Sequence, residues 1–317
     1  MIMMNNQTFL RKALSEGIDT AGGFIVPEQY LPDLIGLIRQ RTVIEQISRH
    51  TVMNRDVMKI PSQTGGSTAY WPDENASITD SDQTFGQVTL NAKKIAALTK
   101  TSTELVEDAL VVPEIATVIM EDLSQAIAVE LDRVFINGDT GAGDPFDGLA
   151  FQPGIGTLPA GGADGDKLTF DKFADAIQVL QEANLYPETR TDVYWLMNPR
   201  DLAYARKIKD DNGQYIWQPA VSNDIPATIM GIPYKITNQI PKNLTKGTST
   251  DCSYILLTCA NEVLIGDRRQ YKVEKSTEAG TAFEQDQVWF KVTARKAIAL
   301  RYPVAIVKML DLTPSGA

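Results

Sequence analysis

Few residues of this chain could do chemistry, and their spacing decides against most reactions. His50 is the single histidine among 317 residues. Any Ser-His-Asp or Cys-His site would have to use it. It sits between Arg49 and Thr51 with no GxSxG elbow and no neighbouring nucleophile signal, so it reads as a structural or surface residue. No CxxC, HExxH or His-carboxylate facial pattern occurs, which leaves transition-metal sites unsupported. A loop rich in glycine and aspartate, Gly138 to Leu149, offers Asp139, Asp144 and Asp147 and invites a calcium reading. Its acids lack the two-residue steps of an EF-hand loop, and turns held by Asx hydrogen bonds are the simpler account. The same loop fails as a phosphate cradle, because it follows a helical pattern rather than a strand and places acids where phosphate would bind. No carboxylate pair stands out as acid and base. The sequence therefore predicts no catalytic residue, no cofactor and no metal.

Cys252 and Cys259 lie in one strand-like run. An odd separation turns them to opposite faces, ~23 Å apart at ~3.3 Å per residue, whereas a disulfide needs Cα atoms within ~7 Å. They read as buried free thiols of a reducing setting. The formal net charge of −10 opposes a nucleic-acid-binding surface, since neutralising phosphates takes a basic patch and no Lys/Arg cluster exceeds two residues. The acidity fits a protein that stays in solution, or a wall that faces DNA and repels it. No apolar run approaches the ~18 residues of a membrane span, and the N-terminus lacks the features of a secretory signal.

The elements that would position any site are more informative. Residues 1–23 read as an arm and 24–50 as an entry segment with a helix from about Glu28 to Gln40. Residues 51–100 read as an extended β-ribbon. Met58 to Pro61 lead into a polar tip, and Phe85 to Ala92 return in period-2 alternation, with Val88, Leu90 and Ala92 on one face. A two-stranded ribbon of roughly thirty residues has no second layer to cover its apolar face. Something outside this chain's own core is therefore expected to pack on it. The aromatic pair Tyr70 and Trp71 fits contact with a neighbouring subunit better than a ligand site. Thr101 to Glu104 has capping-box spacing, and residues 114–137 form the longest predicted helix, with Ile115, Ile119, Leu123, Ile127, Leu131 and Phe135 every fourth residue. The second half alternates helices and strands. It includes a buried strand at Asp192–Met197, a helix opened by Asn198, an Asn-Gly turn between Asp211 and Tyr215, and a hairpin of Tyr271–Lys275 with Val288–Ala294. The class is α+β with a projecting ribbon.

With these residues laid out, the chain resembles the major capsid proteins of tailed phages, in the Hong Kong phage fold. The resemblance is carried in order by Gly22-Gly23-Phe24-Ile25-Val26-Pro27, Ile60-Pro61, Ala69-Tyr70-Trp71, Asp73-Glu74 and Phe85-Gly86-Gln87-Val88-Thr89-Leu90 with Lys93-Lys94. It continues through Ser102-Thr103-Glu104-Leu105, Asn137-Gly138-Asp139, Pro145-Phe146-Asp147-Gly148-Leu149, Leu196-Met197-Asn198-Pro199, Met230-Gly231-Ile232-Pro233, Ile265-Gly266-Asp267 and Tyr302-Pro303-Val304-Ala305. It covers about residues 20 to 310. It implies a peripheral domain of 101–147 and 266–294 built on the spine helix, and an axial domain of 148–265 and 295–317. It also implies subunit contacts through Tyr70, Trp71, Glu74, Phe85, Lys93 and Lys94 of the extended loop, and through Asp211, Tyr215 and Trp217 of an axial loop. Pentamers and hexamers of an icosahedral shell enclosing double-stranded DNA, a separate scaffolding protein and a portal, assembly in the host cytoplasm and residence in the virion follow from it. An encapsulin-type protein compartment is the alternative with the same fold.

Two departures from the family pattern matter. Some members weld their shells with an isopeptide bond between a loop lysine and an asparagine of the peripheral domain. Here no lysine occurs from Ile60 to Ala92 and no asparagine follows Asn261. Other members carry a long N-terminal scaffolding segment. Only about twenty residues precede Gly22, so scaffolding is expected from a separate protein or from a segment already removed.

Overall fold

The computed structural model describes residues 42–71, 73–74, 80–107, 115–210, 212–217 and 228–314. The arm at 1–23 and the helix expected from Glu28 to Gln40 lie outside the described residues. In chain order the elements begin with α1 (Ile44–Ile47), β1 (Arg49–Val52), β2 (Val57–Gly65), β3 (Thr84–Asn91), β4 (Lys93–Ser102), α2 (Thr103–Glu107) and α3 (Ile115–Asn137). They continue with β5 (Gly156–Pro159), β6 (Asp166–Lys167), α4 (Phe170–Glu182), β7 (Val193–Met197), α5 (Pro199–Lys207), β8 (Thr228–Ile229) and β9 (Ile232–Ile236). The last five are β10 (Leu244–Lys246), β11 (Ser249–Cys259), β12 (Val263–Ser276), β13 (Gln287–Leu300) and β14 (Ile306–Thr313). The fold is α+β, as expected.

Three sheets organise these strands. One is four-stranded in the order β1-β12-β13-β4, with β1 parallel to β12 and the other pairs antiparallel. A larger mixed sheet runs β5-β14-β11-β7-β9-β8, with β10 and β6 joined at its side. The third is the ribbon β2–β3 alone.

Strand parity explains how one chain fills two cores. Along β11, Tyr254 and Leu256 face the core built on α3, while Ile255, Leu257 and Cys259 face the core under α4 and α5. Successive side chains point to opposite faces, so a continuous apolar run is what a strand covered on both sides requires. α3 follows the four-residue apolar spacing: Leu123, Ile127, Leu131 and Phe135 are buried against Val288, Phe290 and Val292 of β13. Each such side chain contributes ~1.5–3 kcal/mol by leaving water. The helix, ~35 Å long at 1.5 Å per residue, ends at Gly138. There a Cβ would stand 2.4 Å from the carbonyl oxygen of Phe146 and 2.5 Å from that of Val134. Only glycine admits that approach of two backbone segments.

Strand lengths depart from the expected ones. Tyr271–Lys275 and the segment near Gly266 belong to a single strand, β12, and Val288–Ala294 and Ile298–Leu300 to a single strand, β13. Boundaries drawn at Gly266 and Arg295 thus cut through continuous strands. At Gly266 the backbone gives room to Met53, whose Sδ would lie 2.4 Å from an added Cβ. Lys93–Ser102, read as the end of the ribbon, instead pairs along its whole length with β13.

Short polar contacts fix the helix starts. Ser102 Oγ accepts the N–H of Leu105, and Asn198 Oδ1 accepts that of Arg200, satisfying donors that a first turn leaves open. The start of α1 is capped from a distance. Asp132, buried in α3, accepts the N–H groups of Val43 at 3.0 Å and Ile44 at 2.8 Å through Oδ1. Removing this acceptor in Asp132→Ala should cost about 1–2 kcal/mol. Asp132→Asn keeps an oxygen there and should lose less than half of that. Urea unfolding of both variants, followed by circular dichroism, measures the difference.

Candidate assembly interface

Among its described residues the ribbon is anchored at its root. Val57 stands opposite Asn91 and the pairing runs through Gln63 opposite Phe85, with a register shift before Gly65. On the root's inner face Leu90 is fully buried beside Met53, Leu264, Ala297 and Ala299, with Met58, Ile60 and Val88 packed around them. This small core lies on the face of β12–β13 opposite α3. Beyond it burial stops: no described residue from 62 to 84 is buried. The tip is tied across by small polar contacts, Thr64 Oγ1 to Thr84 Oγ1 at 3.2 Å and Thr68 N–H to Ser81 Oγ at 3.0 Å. Trp71 is 98% exposed and Phe85 70% exposed. Tyr70 and Glu74 are also exposed. These four share the outer ribbon. Lys93 and Lys94 do not join them. They begin β4 beside Lys296 and Arg295 of β13, separated from the tip by the eight residues of β3, which is about 27 Å at ~3.4 Å per residue.

Beside those lysines is a mainly apolar cavity of about 160 Å³, lined by Lys93, Lys94, Ile95, Glu130, Leu131, Val134, Pro145 and Phe146. It lies between the edge strand β4 and the spine helix. Sequence reading missed it, because it forms between residues far apart in the chain. Glu130 at its rim is held by Arg133, whose guanidinium donates to both carboxylate oxygens at 2.7–3.0 Å.

The axial loop is divided. Asp211 lies outside the described residues. Tyr215 is exposed beneath the ammonium of Lys209, 4.9 Å from its ring centre. Trp217 corrects the expectation of an exposed contact. Its ring is buried, edge-on to Tyr234, and its Nε1–H donates to the carbonyl of Thr228 at 2.8 Å. The indole fills its own core and satisfies its donor there.

The residues considered for chemistry are used locally. Asp139 accepts the N–H of Gly141, Asp144 that of Asp139, and Asp147 both the N–H and the hydroxyl of Thr140. Asp139 closes an Asx turn on Gly141, Asp144 and Asp147 reach back five and seven residues, and Asp144 also pairs with Arg133 at 2.8 Å. Among the described residues no cluster of side chains has the make-up of a metal site. Cys252 and Cys259 are free and buried. Burial pushes the Cys259 thiol up to about 12, so it stays protonated and unreactive.

His50 joins a network that sequence reading did not foresee. Its Nδ1 lies 2.7 Å from Asp267 Oδ2 and its Nε2 2.7 Å from the carbonyl oxygen of Glu45. Lys296, buried in β13, reaches Asp267 at 2.5 Å and Glu45 at 3.1 Å, and Tyr271 donates its hydroxyl to Glu45 at 3.0 Å. Two cations and two carboxylates thus meet where α1, β1, β12 and β13 converge. The Glu45 carbonyl can only accept, and both contacts are satisfied together when the two ring nitrogens carry protons.

A ribbon on a sheet, a spine helix beneath it and a compact mixed sheet make up the shell-protein architecture of the Hong Kong phage type. The phage capsid family profile matches residues 22–310, and the chain belongs to that family. The major capsid protein of Klebsiella oxytoca phage phiKO2 is 27% identical over 315 residues, covering 93% of this chain and 70% of that one. The major capsid protein of Enterobacteria phage HK97 is 26% identical over 305 residues, covering 94% and 72%. In fold, the capsid of a native GTA particle matches with a TM-score of 0.78 at 20% identity, over 95% of this chain and 100% of that one. The chain is a structural capsid protein of the virion, homo-oligomeric in its shell, and not an enzyme. No helix among the described residues is long and apolar enough to cross a membrane.

The His50 geometry carries a pH dependence. Burial lowers its pKa, but the Glu45 carbonyl and the Asp267 carboxylate outweigh that and raise it above the ordinary 6.5. A raised folded-state value means that the stabilisation is complete below about 6.5 and fades as pH climbs through the folded value. The melting temperature of the unaltered chain should therefore exceed that of His50→Asn most below pH 6.5, with the gap narrowing as pH rises above it. A gap that stays constant would show that the imidazolium has no part in it.

Proposed function

We propose that the chain assembles with copies of itself into pentamers and hexamers of an icosahedral shell that encloses double-stranded phage DNA without reading its sequence. The observation that carries this reading is the ribbon tip, which exposes Trp71 and Phe85 and in which no described residue from 62 to 84 is buried. On a neighbour, Tyr70 and Trp71 would each bury ~150–250 Å², roughly 4–6 kcal/mol per ring at ~25 cal/mol per Å² before ordering costs. In this reading the ribbon lies across an adjacent subunit, and residues 101–147 with the β12–β13 hairpin form the peripheral part. Residues 148–265, with the last strands, form the axial part and bring Tyr215 towards the five-fold and six-fold axes. A separate scaffolding protein and a portal complete the particle, which is built in the host cytoplasm. The net charge of −10 supports enclosure of DNA rather than adhesion to it.

Deleting Ser62 to Thr84 and closing the gap with a short turn tests the reading. The remaining fold should keep its circular dichroism and melting temperature, while electron microscopy and light scattering should find no closed shells. Shells formed by the deletion variant would refute the ribbon's part in assembly, and an unfolded variant would place the tip in the chain's own core. Particles that contain protein cargo and no DNA would favour an encapsulin-type compartment.

The shell should also be held non-covalently. Residues 60–92 contain no lysine, and both thiols are buried. Boiling mature particles in detergent with reductant should release a single band at the mass of one chain, whereas a ladder of multimers would contradict this.

A further inference from the structure

We propose that the cavity between the start of β4 and the spine helix is the receptor for Trp71 of a second copy, with Lys93 and Lys94 meeting Asp73 and Glu74 of that copy's ribbon. This rests on the reading of the ribbon as the assembly element and names the surface on which it lands.

Size is the first argument. An apolar cavity of ~150 Å³ takes up a single benzene ring, and this one, of about 160 Å³, is floored by Ile95, Leu131, Val134 and Phe146. It is too small for the larger organic ligands that fill pockets of ~300–1,000 Å³, and it suits one aromatic side chain. Trp71, at 98% exposure, is the most exposed large apolar side chain described.

Charge is the second. Residues 60–92 contain Asp73, Glu74, Asp80 and Asp82 and no lysine or arginine. None of these acids forms an ion pair among the described residues. At the cavity mouth the balance is reversed. Lys93 and Lys94 are exposed and also form no ion pair among the described residues, and the nearby Arg268 and Arg295 share a single acid, Asp56. Glu130, the one acid of the lining, is neutralised by Arg133. An acidic, aromatic tip and a basic, apolar socket are complementary, and oppositely charged patches set register between partners.

Reach is the third. β3 separates the tip from Lys93 of the same chain by about 27 Å, so the two halves can meet only between copies.

Charge exchange tests the contact. Asp73→Lys with Glu74→Lys, and separately Lys93→Asp with Lys94→Glu, should each raise the protein concentration for half-maximal formation of capsomers or shells by about tenfold or more. All four substitutions together should return it towards that of the unaltered chain. Trp71→Ala should weaken assembly without rescue by any of them. All five residues are exposed, and circular dichroism verifies that each variant folds. If either reversal leaves assembly unchanged, or the fourfold variant is no better than the two reversals, the docking is wrong. The deletion of Ser62 to Thr84 separates the two failures. Silent reversals beside a deletion variant that cannot assemble overturn only this socket, whereas a deletion variant that closes shells overturns the assembly reading itself.

Discussion

The structure depends on covering both faces of one antiparallel pair. β12 and β13 are fourteen residues each, more than twice the usual strand length, and two strands cannot bury their own side chains. α3 supplies cover on one face, through Leu123 to Phe135. The root of the ribbon supplies it on the other, through Met53 and Leu90. The spine helix and the ribbon are therefore two lids on one ladder. The ribbon's free end is what remains once its root has done that work.

Electrostatics then ties the segment that precedes the ribbon to this ladder. Lys296 is buried, and taking an ammonium out of water is costly unless partners surround it. Burial lowers its pKa, yet Asp267 and Glu45 hold the net shift upward. With His50 and Tyr271 they tie the loop from α1 into β1 to the two long strands. Buried ion pairs add little net stability over apolar packing, but they tolerate few alternative geometries. Charge and packing act together near the root, while small polar contacts such as Thr64–Thr84 and Thr68–Ser81 tie the described part of the tip.

The long helix was legible because its apolar residues recur at helical spacing over 23 residues. The buried strand at Val193–Met197 was legible because its residues are all aliphatic, aromatic or methionine. Ribbon alternation at Val88 and Leu90 was equally plain. Three things were not. The extent of β12 beyond Tyr271–Lys275 was one, and the role of Gly266 within it depends on where Met53 sits. Lys93–Ser102 alternates as a ribbon strand would, and only the register with β13 shows that it belongs to another sheet. Trp217 resembled a loop aromatic because its partners, Thr228 and Tyr234, lie beyond a stretch without periodicity. In each case the deciding neighbour is remote in sequence, which local pattern cannot supply.

The four tryptophans occupy very different surroundings. Trp195 and Trp217 are enclosed in the core under α4 and α5, and Trp289 is half-buried beneath the ammonium of Lys100 at 4.0 Å. Only Trp71 is bathed in solvent. Indole emission moves to shorter wavelength when water leaves the ring. The chain therefore carries its own optical reporter at the ribbon tip, and a blue shift on self-association would time the burial of that ring without any added dye.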